Sequence, residues 1–136
     1  MPISTVAKAL ASLVAMAAVT GFAATAASAF ERTDFTDAGF KAAQAAGKPI
    51  VVDVFAPWCP TCKAQHQVLD DLEKKPEFSA VVLMKVDFDT QKDVVRSLKA
   101  QSQSTLIAFK GDKETGRSAG STDPAQIEAL IATTVK

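Results

Sequence analysis

The stretch from Val51 to His66 constrains this chain more than any other, because it joins an apolar run to the only two cysteines, Cys59 and Cys62. The run contains a single aspartate and ends in Ala-Pro-Trp, and a helical pattern of apolar residues begins at the cysteines. Such a run is typical of a strand that is buried on both faces. The order therefore predicts a buried strand, a sharp turn, and a helix whose first turn carries Cys-x-x-Cys.

The position of the cysteines at a helix start predicts thiol chemistry. Cys59 falls at or next to the N-cap, where unpaired N–H groups and the positive end of the helix dipole stabilise a thiolate. Pro60 takes the first helical position, where its missing N–H is not needed. Cys62 lies one turn further on the same face, so the two sulfurs can form a disulfide without bending the helix. We therefore predict that Cys59 is the nucleophile and Cys62 the resolving thiol.

The cysteines allow two other interpretations. A structural disulfide would suit an exported protein, but a bridge that closes so short a loop restricts few unfolded conformations and stabilises little. A metal-binding module or copper chaperone would use Cys59, Cys62 and His66, whose side chains are ligand types for zinc or Cu(I). Three ligands on one straight helix converge poorly, so we favour an exposed helix histidine and expect no metal.

The residues around the motif resemble the thioredoxin superfamily. Asp53 stands six residues before Cys59, and the lead-in Phe-Ala-Pro-Trp-Cys is similar to protein disulfide isomerase domains. Trp-Cys-Pro-Thr-Cys followed by Lys-Ala-Gln-His resembles the bacterial periplasmic thioredoxins that reduce apocytochrome c. The resemblance implies a thioredoxin fold, an α/β arrangement in which helices flank both faces of a central mixed β-sheet. It also implies thiol–disulfide oxidoreductase activity without an organic cofactor.

The resemblance extends to partners and to proton transfer. It implies a monomer that reduces disulfides of specific exported proteins and receives electrons from a membrane thiol protein. In the family, the counterpart of Asp53 relays a proton to or from the deeper cysteine, here Cys62, and Lys85 matches a lysine near that aspartate. A buried acid beside a reactive thiol suits this role. Alternatively, local hydrogen bonds at a strand end satisfy the Asp53 carboxyl group.

Three residues beside the cysteines are predicted to contact substrates or to tune the pair. Trp58 is expected to pack beside the Cys59 sulfur and to offer an apolar landing surface for a partner chain. Pro60 and Thr61, between the cysteines, determine how well each helix N–H reaches the thiolate.

The main departure from the family lies at Ser104. Thioredoxins enter this strand through Ile-Pro-Thr, with a cis proline that faces the cysteines, whereas this chain has Gln103-Ser104-Thr105. A cis peptide before a non-proline residue is unfavourable by ~3–4 kcal/mol, so we predict a trans peptide and an adjusted loop. Ser104 and Thr105 are expected to form the substrate-binding edge, which gains a hydroxyl and an N–H beside the sulfurs.

Residues 1–29 have the composition of a signal peptide. Lys8 is the only charged residue before Glu31, and the Ala-rich segment ends in Ala27-Ser28-Ala29, a typical cleavage pattern. The alternative is an uncleaved membrane anchor, since about 20 apolar residues can span a bilayer. We expect cleavage, a periplasmic location, and one domain that comprises residues 30–136.

Charge and periodicity complete the prediction for residues 30–136. Without Lys8, 14 basic residues face 15 acidic ones, and no basic run indicates nucleic acid binding. The pattern predicts the order βαβαβαββα. Predicted helix N-caps are Thr36, with Phe35 and Phe40 as a hydrophobic staple, Thr90, and Asp123 with Gln126 as its capping-box partner. The predicted apolar stripe of the last helix comprises Ile127, Leu130, Ile131 and Val135.

Overall fold

The computed structural model describes residues 29–136, so all of the predicted signal peptide except Ala29 lies outside the described residues. The strands are β1 (Glu31–Asp34), β2 (Pro49–Phe55), β3 (Val82–Asp87), β4 (Thr105–Lys110) and β5 (Lys113–Ala119). The helices are α1 (Asp37–Ala45), α2 (Pro60–Leu72), α3 (Lys92–Ser97) and α4 (Pro124–Val135), with a 3₁₀ turn at Pro76–Phe78. The predicted order of strands and helices is confirmed, and the 3₁₀ turn is an addition to it.

The five strands form one mixed sheet in the order β1-β3-β2-β4-β5. β3 pairs in parallel with both β1 and β2, whereas β4 runs antiparallel to β2 and to β5. β2 is therefore central, and its apolar residues are buried on both faces as the sequence predicted. The carboxyl end of this strand leads directly into the turn that carries the cysteines.

Each face of the sheet is covered by two helices. Alternate residues of β2 point to opposite faces, so Val52 belongs to one core and Val51 to the other. Helices α1 and α3 cover the first face through Ala43 and Val95. Helices α2 and α4 cover the second face, with Leu69, Leu72, Ile127 and Ile131 in its core. This two-sided arrangement confirms the predicted α/β fold.

Two of the three predicted helix caps are confirmed. The Thr36 hydroxyl accepts a hydrogen bond from the Gly39 N–H at 3.0 Å. The predicted staple also forms, since the rings of Phe35 and Phe40 lie 5.1 Å apart between centroids. At the last helix, the Asp123 carboxylate accepts from the Gln126 N–H at 3.0 Å.

Three details of the caps and stripes are wrong. Gln91 rather than Thr90 precedes α3, because Asp87 Oδ1 accepts from the Thr90 N–H and holds it in a turn. The Gln126 side chain does not return to the Asp123 N–H; it accepts from the Ser121 hydroxyl at 2.9 Å. Val135 is 38% exposed, and Thr134 is the buried residue in that last turn of α4.

Within residues 29–136, every helix is too short or too polar to cross a membrane.

Candidate active site

Cys59 caps the helix that carries both cysteines, as predicted. Its backbone is extended (φ −84°, ψ 111°), Pro60 opens α2, and the Cys62 N–H donates to Cys59 Sγ at 3.1 Å. A sulfur in this position accepts a bond from a helix N–H that has no carbonyl partner within the helix. Both cysteines are free thiols. The helix start therefore supplies a donor and a favourable dipole to one sulfur of the pair.

The two thiols differ in acidity. Burial raises the pKa of Cys59, but hydrogen bonds from Cys62, Ser104 and the backbone outweigh it, so the pKa lies below its ordinary value. Burial is also the main reason why the pKa of Cys62 is raised, and its hydrogen bond with Cys59 adds to the effect. Cys59 is 5% exposed and Cys62 is 1% exposed. The Cys59 sulfur is thus more readily ionised and less enclosed than the Cys62 sulfur, and both properties suit a nucleophile.

Ser104 faces the pair from the loop before β4. The peptide bonds of residues 29–136 are all trans, which confirms the prediction for Gln103–Ser104. The Ser104 hydroxyl lies 3.1 Å from Cys59 Sγ and 3.1 Å from Cys62 Sγ. Its φ of 61° is in the left-handed region, which non-glycine residues rarely adopt. The sequence predicted a hydroxyl near the sulfurs but not one that contacts both.

Gln65 holds this loop, a role that the sequence analysis does not include. Its side-chain NH₂ donates to the Ser104 carbonyl at 3.0 Å and to the Ser121 carbonyl at 2.8 Å. The residue is fully buried in the same stripe of α2 as Leu69 and Leu72. A polar residue in an otherwise apolar stripe needs buried partners, and that pattern was the available signal.

Asp53 and His66 form a pair behind the cysteines. Asp53 is fully buried in β2, and its Oδ2 lies 2.7 Å from His66 Nε2. Its other oxygen, Oδ1, has no hydrogen-bond partner in the described part of the chain. The His66 side chain is 29% exposed and so connects the carboxyl group to solvent. The expectation of a simply exposed helix histidine is therefore wrong.

Lys85 is opposite Asp53 in the register of β2 and β3, but it does not form an ion pair with it. Among the ion pairs of residues 29–136, Asp53 is found only with His66. The Lys85 ammonium lies 4.4 Å from the centroid of the Phe55 ring, a cation–π contact. Lys85 thus adds positive charge to the site without neutralising the carboxyl group.

The side chains of His66 and Lys85 line a cleft of about 230 Å³ together with the two cysteines. Its walls comprise Phe55, Ala56, Pro57, Cys59, Cys62, Lys63, His66 and Lys85. Cys62 and His66 therefore border the same space, which can hold solvent between the resolving thiol and the imidazole.

The predicted substrate-binding residues differ in what they present to solvent. Trp58 is 61% exposed, and its indole N–H donates to Asp89 Oδ2 at 2.7 Å, which fixes an apolar ring beside Cys59. Pro60 is exposed and Thr61 is half-buried. Thr105 is buried, and its hydroxyl donates to the Ser102 carbonyl at 2.8 Å, so its side chain does not face a substrate.

The alternative of a metal site gains no support. Residues 29–136 contain no group of three or more His, Cys, Asp and Glu side chains placed to hold a metal ion. His66, the proposed third ligand, is bonded to Asp53 instead of turning towards the cysteines.

A mixed sheet covered on both faces, with a dithiol at a helix start beside its central strand, defines the class of thiol–disulfide oxidoreductases. The family model "Thioredoxin" matches residues 31–133. The chain therefore belongs to the thioredoxin family, whose members are thiol–disulfide oxidoreductases that act on protein disulfides.

Individual relatives agree with this assignment. The chain is 36% identical to thioredoxin-2 of Saccharomyces cerevisiae over 88 residues, which cover 65% of this chain and 82% of the relative. It is 31% identical to the thioredoxin of Alicyclobacillus acidocaldarius over 97 residues, 71% of this chain and 91% of that one. The crystal structure of Trxlp from Edwardsiella tarda superposes with a TM-score of 0.72 at 39% identity. That likeness covers 74% of this chain and 98% of the other.

Proposed function

We propose that this thioredoxin-family protein is an exported reductase of specific protein disulfides and that it works through a Cys59/Cys62 dithiol–disulfide cycle. The observation that carries the proposal is the position of Cys59 as the cap of α2. There the Cys62 N–H reaches the Cys59 sulfur at 3.1 Å, and the pKa of Cys59 is lowered by hydrogen bonds that outweigh burial.

The first half of the cycle begins with the Cys59 thiolate. It attacks one sulfur of a substrate disulfide, a new S–S bond joins Cys59 to the substrate, and the other substrate sulfur leaves as a thiolate. The exposed ring of Trp58, held by Asp89, gives the substrate chain an apolar surface at this point.

The second half of the cycle belongs to Cys62. Because the pKa of Cys62 is raised, chiefly by burial, this thiol must lose a proton before it can attack. The proton passes through solvent in the shared cleft to the His66–Asp53 pair. Cys62 then attacks Cys59 Sγ, and the second substrate thiolate leaves. The protein is oxidised by two electrons and the substrate disulfide is reduced to two thiols.

An upstream donor must return these two electrons. A membrane thiol protein is the donor class that suits an exported reductase, because the compartment outside the cytoplasm is oxidising. Export itself is supported by the Ala-rich segment that ends in Ala27-Ser28-Ala29.

Trapping experiments test the cycle. Cys62→Ser should accumulate mixed disulfides with substrate proteins through Cys59, whereas Cys59→Ser should trap few, and the wild-type protein should reduce insulin disulfides. Non-reducing gels of both variants, expressed with their signal segment, give the comparison. Equal trapping by the two variants would contradict the assignment of Cys59 as nucleophile.

A further inference from the structure

The Ser104 hydroxyl lies within hydrogen-bond distance of both cysteine sulfurs. It lies 3.1 Å from each of the two reacting sulfurs, although 45 residues separate it from Cys59 along the chain. The residue is 4% exposed, so solvent does not compete strongly for its hydrogen bonds. An O–H donor at this distance from a sulfur anion makes a charge-assisted hydrogen bond, which is stronger than a neutral one.

The backbone around Ser104 is held in place from two sides. Its carbonyl accepts from the Gln65 side chain at 3.0 Å and from the Gly120 N–H at 2.8 Å. These bonds keep the residue at φ 61°, a conformation that is unfavourable for serine. Strain of this kind persists only where surrounding contacts impose it, and it is concentrated at functional sites.

A hydroxyl has one proton to donate and two lone pairs. In the resting dithiol it can donate to the Cys59 thiolate, to which the Cys62 S–H also donates. Once Cys59 is in a mixed disulfide, its sulfur is neutral and a poor acceptor, while Cys62 must become an anion. The hydroxyl proton can then rotate about the Cβ–Oγ bond, and Ser104 can donate to Cys62 without any movement of the backbone.

We propose that Ser104 is a catalytic residue whose hydroxyl donates to whichever of the two sulfurs carries the negative charge, Cys59 before substrate attack and Cys62 in the mixed disulfide. This role rests on the proposed Cys59/Cys62 cycle, since Ser104 contacts both sulfurs that react in it. The hydroxyl proton stays on Ser104 throughout. The proton of Cys62 leaves to the His66–Asp53 pair, and both substrate thiolates take protons from solvent.

The Ser104 hydroxyl also affects the redox equilibrium of the two cysteines. In the Cys59–Cys62 disulfide neither sulfur is charged, so the hydroxyl stabilises the dithiol form more than the disulfide form. Removal of the hydroxyl should therefore make the protein a stronger reductant. One charge-assisted bond corresponds to roughly a ten-fold change in the equilibrium constant with glutathione, which is ~30 mV for two electrons.

The test is Ser104→Gly in the full chain, because glycine adopts φ 61° without strain and lacks only the side chain. Ser104→Ala is the second hydroxyl-free variant, and Ser102→Ala is the matched control in the same loop, since the Ser102 carbonyl rather than its hydroxyl makes the bond to Thr105. Three quantities are measured. Thiolate absorbance gives the Cys59 pKa, and equilibration with glutathione gives the redox equilibrium. Stopped-flow mixing with a small aromatic disulfide gives the rates of both half-reactions.

Both hydroxyl-free variants should show a Cys59 pKa closer to the ordinary value, about a ten-fold more reducing equilibrium, and a loss of about ten-fold in the resolving rate. Ser102→Ala should match the wild type in all three. Unchanged values in Ser104→Gly would overturn the proposal. A change confined to KM for protein substrates, with the small disulfide unaffected, would assign Ser104 to substrate binding and would also overturn it. Either result leaves the proposed reductase cycle standing, because wild-type turnover and Cys62→Ser trapping test that separately.

Discussion

At the scale of single residues, the two thiols should react at different pH. The pKa of Cys59 is below its ordinary value because hydrogen bonds outweigh burial, and that of Cys62 is above it, mainly through burial. At neutral pH, iodoacetamide should therefore modify Cys59 first, and modification of Cys62 should need more alkaline solution. Peptide mass spectrometry after timed alkylation of the reduced protein gives both profiles. Preferential modification of Cys62 at neutral pH would contradict this order.

The Asp53–His66 pair makes a second prediction at this scale. His66→Ala removes the only hydrogen-bond partner that the Asp53 carboxyl group has among the described residues, and so leaves this fully buried group unsatisfied. We expect the free energy of unfolding to fall by about 1–3 kcal/mol. His66→Gln, which retains a donor, should recover part of the loss.

Urea denaturation of a double-mutant cycle with Asp53→Leu measures the coupling of the two side chains. The two single changes should not add, because each removes the same contact. Additive losses would show that the 2.7 Å contact contributes little to stability. Slower resolution of mixed disulfides in His66→Ala would in addition support the proposed proton route.

At the scale of secondary structure elements, Gln65 joins α2 to the loops on either side of the β4–β5 hairpin. Gln65→Leu loses two hydrogen bonds of ~1 kcal/mol each. The same change removes the buried Oε1 atom, which has no hydrogen-bond partner within residues 29–136, and it buries more apolar surface. These contributions nearly cancel. We expect the free energy of unfolding to change by less than about 1 kcal/mol while disulfide exchange slows, because Ser104 loses one of the two bonds to its carbonyl.

Urea denaturation and insulin reduction together test this expectation. Gln67→Leu is the matched control, since Gln67 is an exposed residue of the same helix. Exchange rates that are equal in Gln65→Leu and the wild type would mean that Gly120 alone holds Ser104 in place.

At the scale of the whole molecule, every described strand and helix lies after Ala29. β1 begins at Glu31, and Phe30 is only 5% exposed, within the core between the sheet and α2. We predict that the mature protein begins at Phe30 and is recovered from the soluble periplasmic fraction, as intact-mass analysis would establish. Retention of residues 1–29 in a membrane fraction would favour the anchor instead.

The contribution of Phe30 to that core can be tested in a chain that begins at Phe30 and in its Phe30→Ala variant. The chain that begins at Phe30 should unfold at the same urea concentration as the full chain. Phe30→Ala in that chain should lower the free energy of unfolding by about 1.5–3 kcal/mol, the value of burying one large apolar side chain.

The sequence by itself determined the features that depend on near neighbours along the chain. The strand–turn–helix order around the cysteines, the caps at Thr36 and Asp123, and the position of Cys59 at the start of α2 all follow from residues within about one helical turn of each other. The resemblance carried by the Trp-Cys-Pro-Thr-Cys motif then extended this local prediction to the whole fold.

Only the tertiary structure decided which distant groups meet at the site. Ser104 reaches both sulfurs across more than 40 residues, Gln65 reaches the Ser121 carbonyl across 56, and the Trp58 indole finds Asp89 across 31. The sequence predicts a His66 side chain that faces solvent or binds a metal. Helical periodicity shows on which face of α2 a residue lies, but it does not show which side chain of another element lies opposite. A hydrogen bond depends on distances of a few tenths of an ångström, and only the packing of α2 against the sheet and its loops determines those distances.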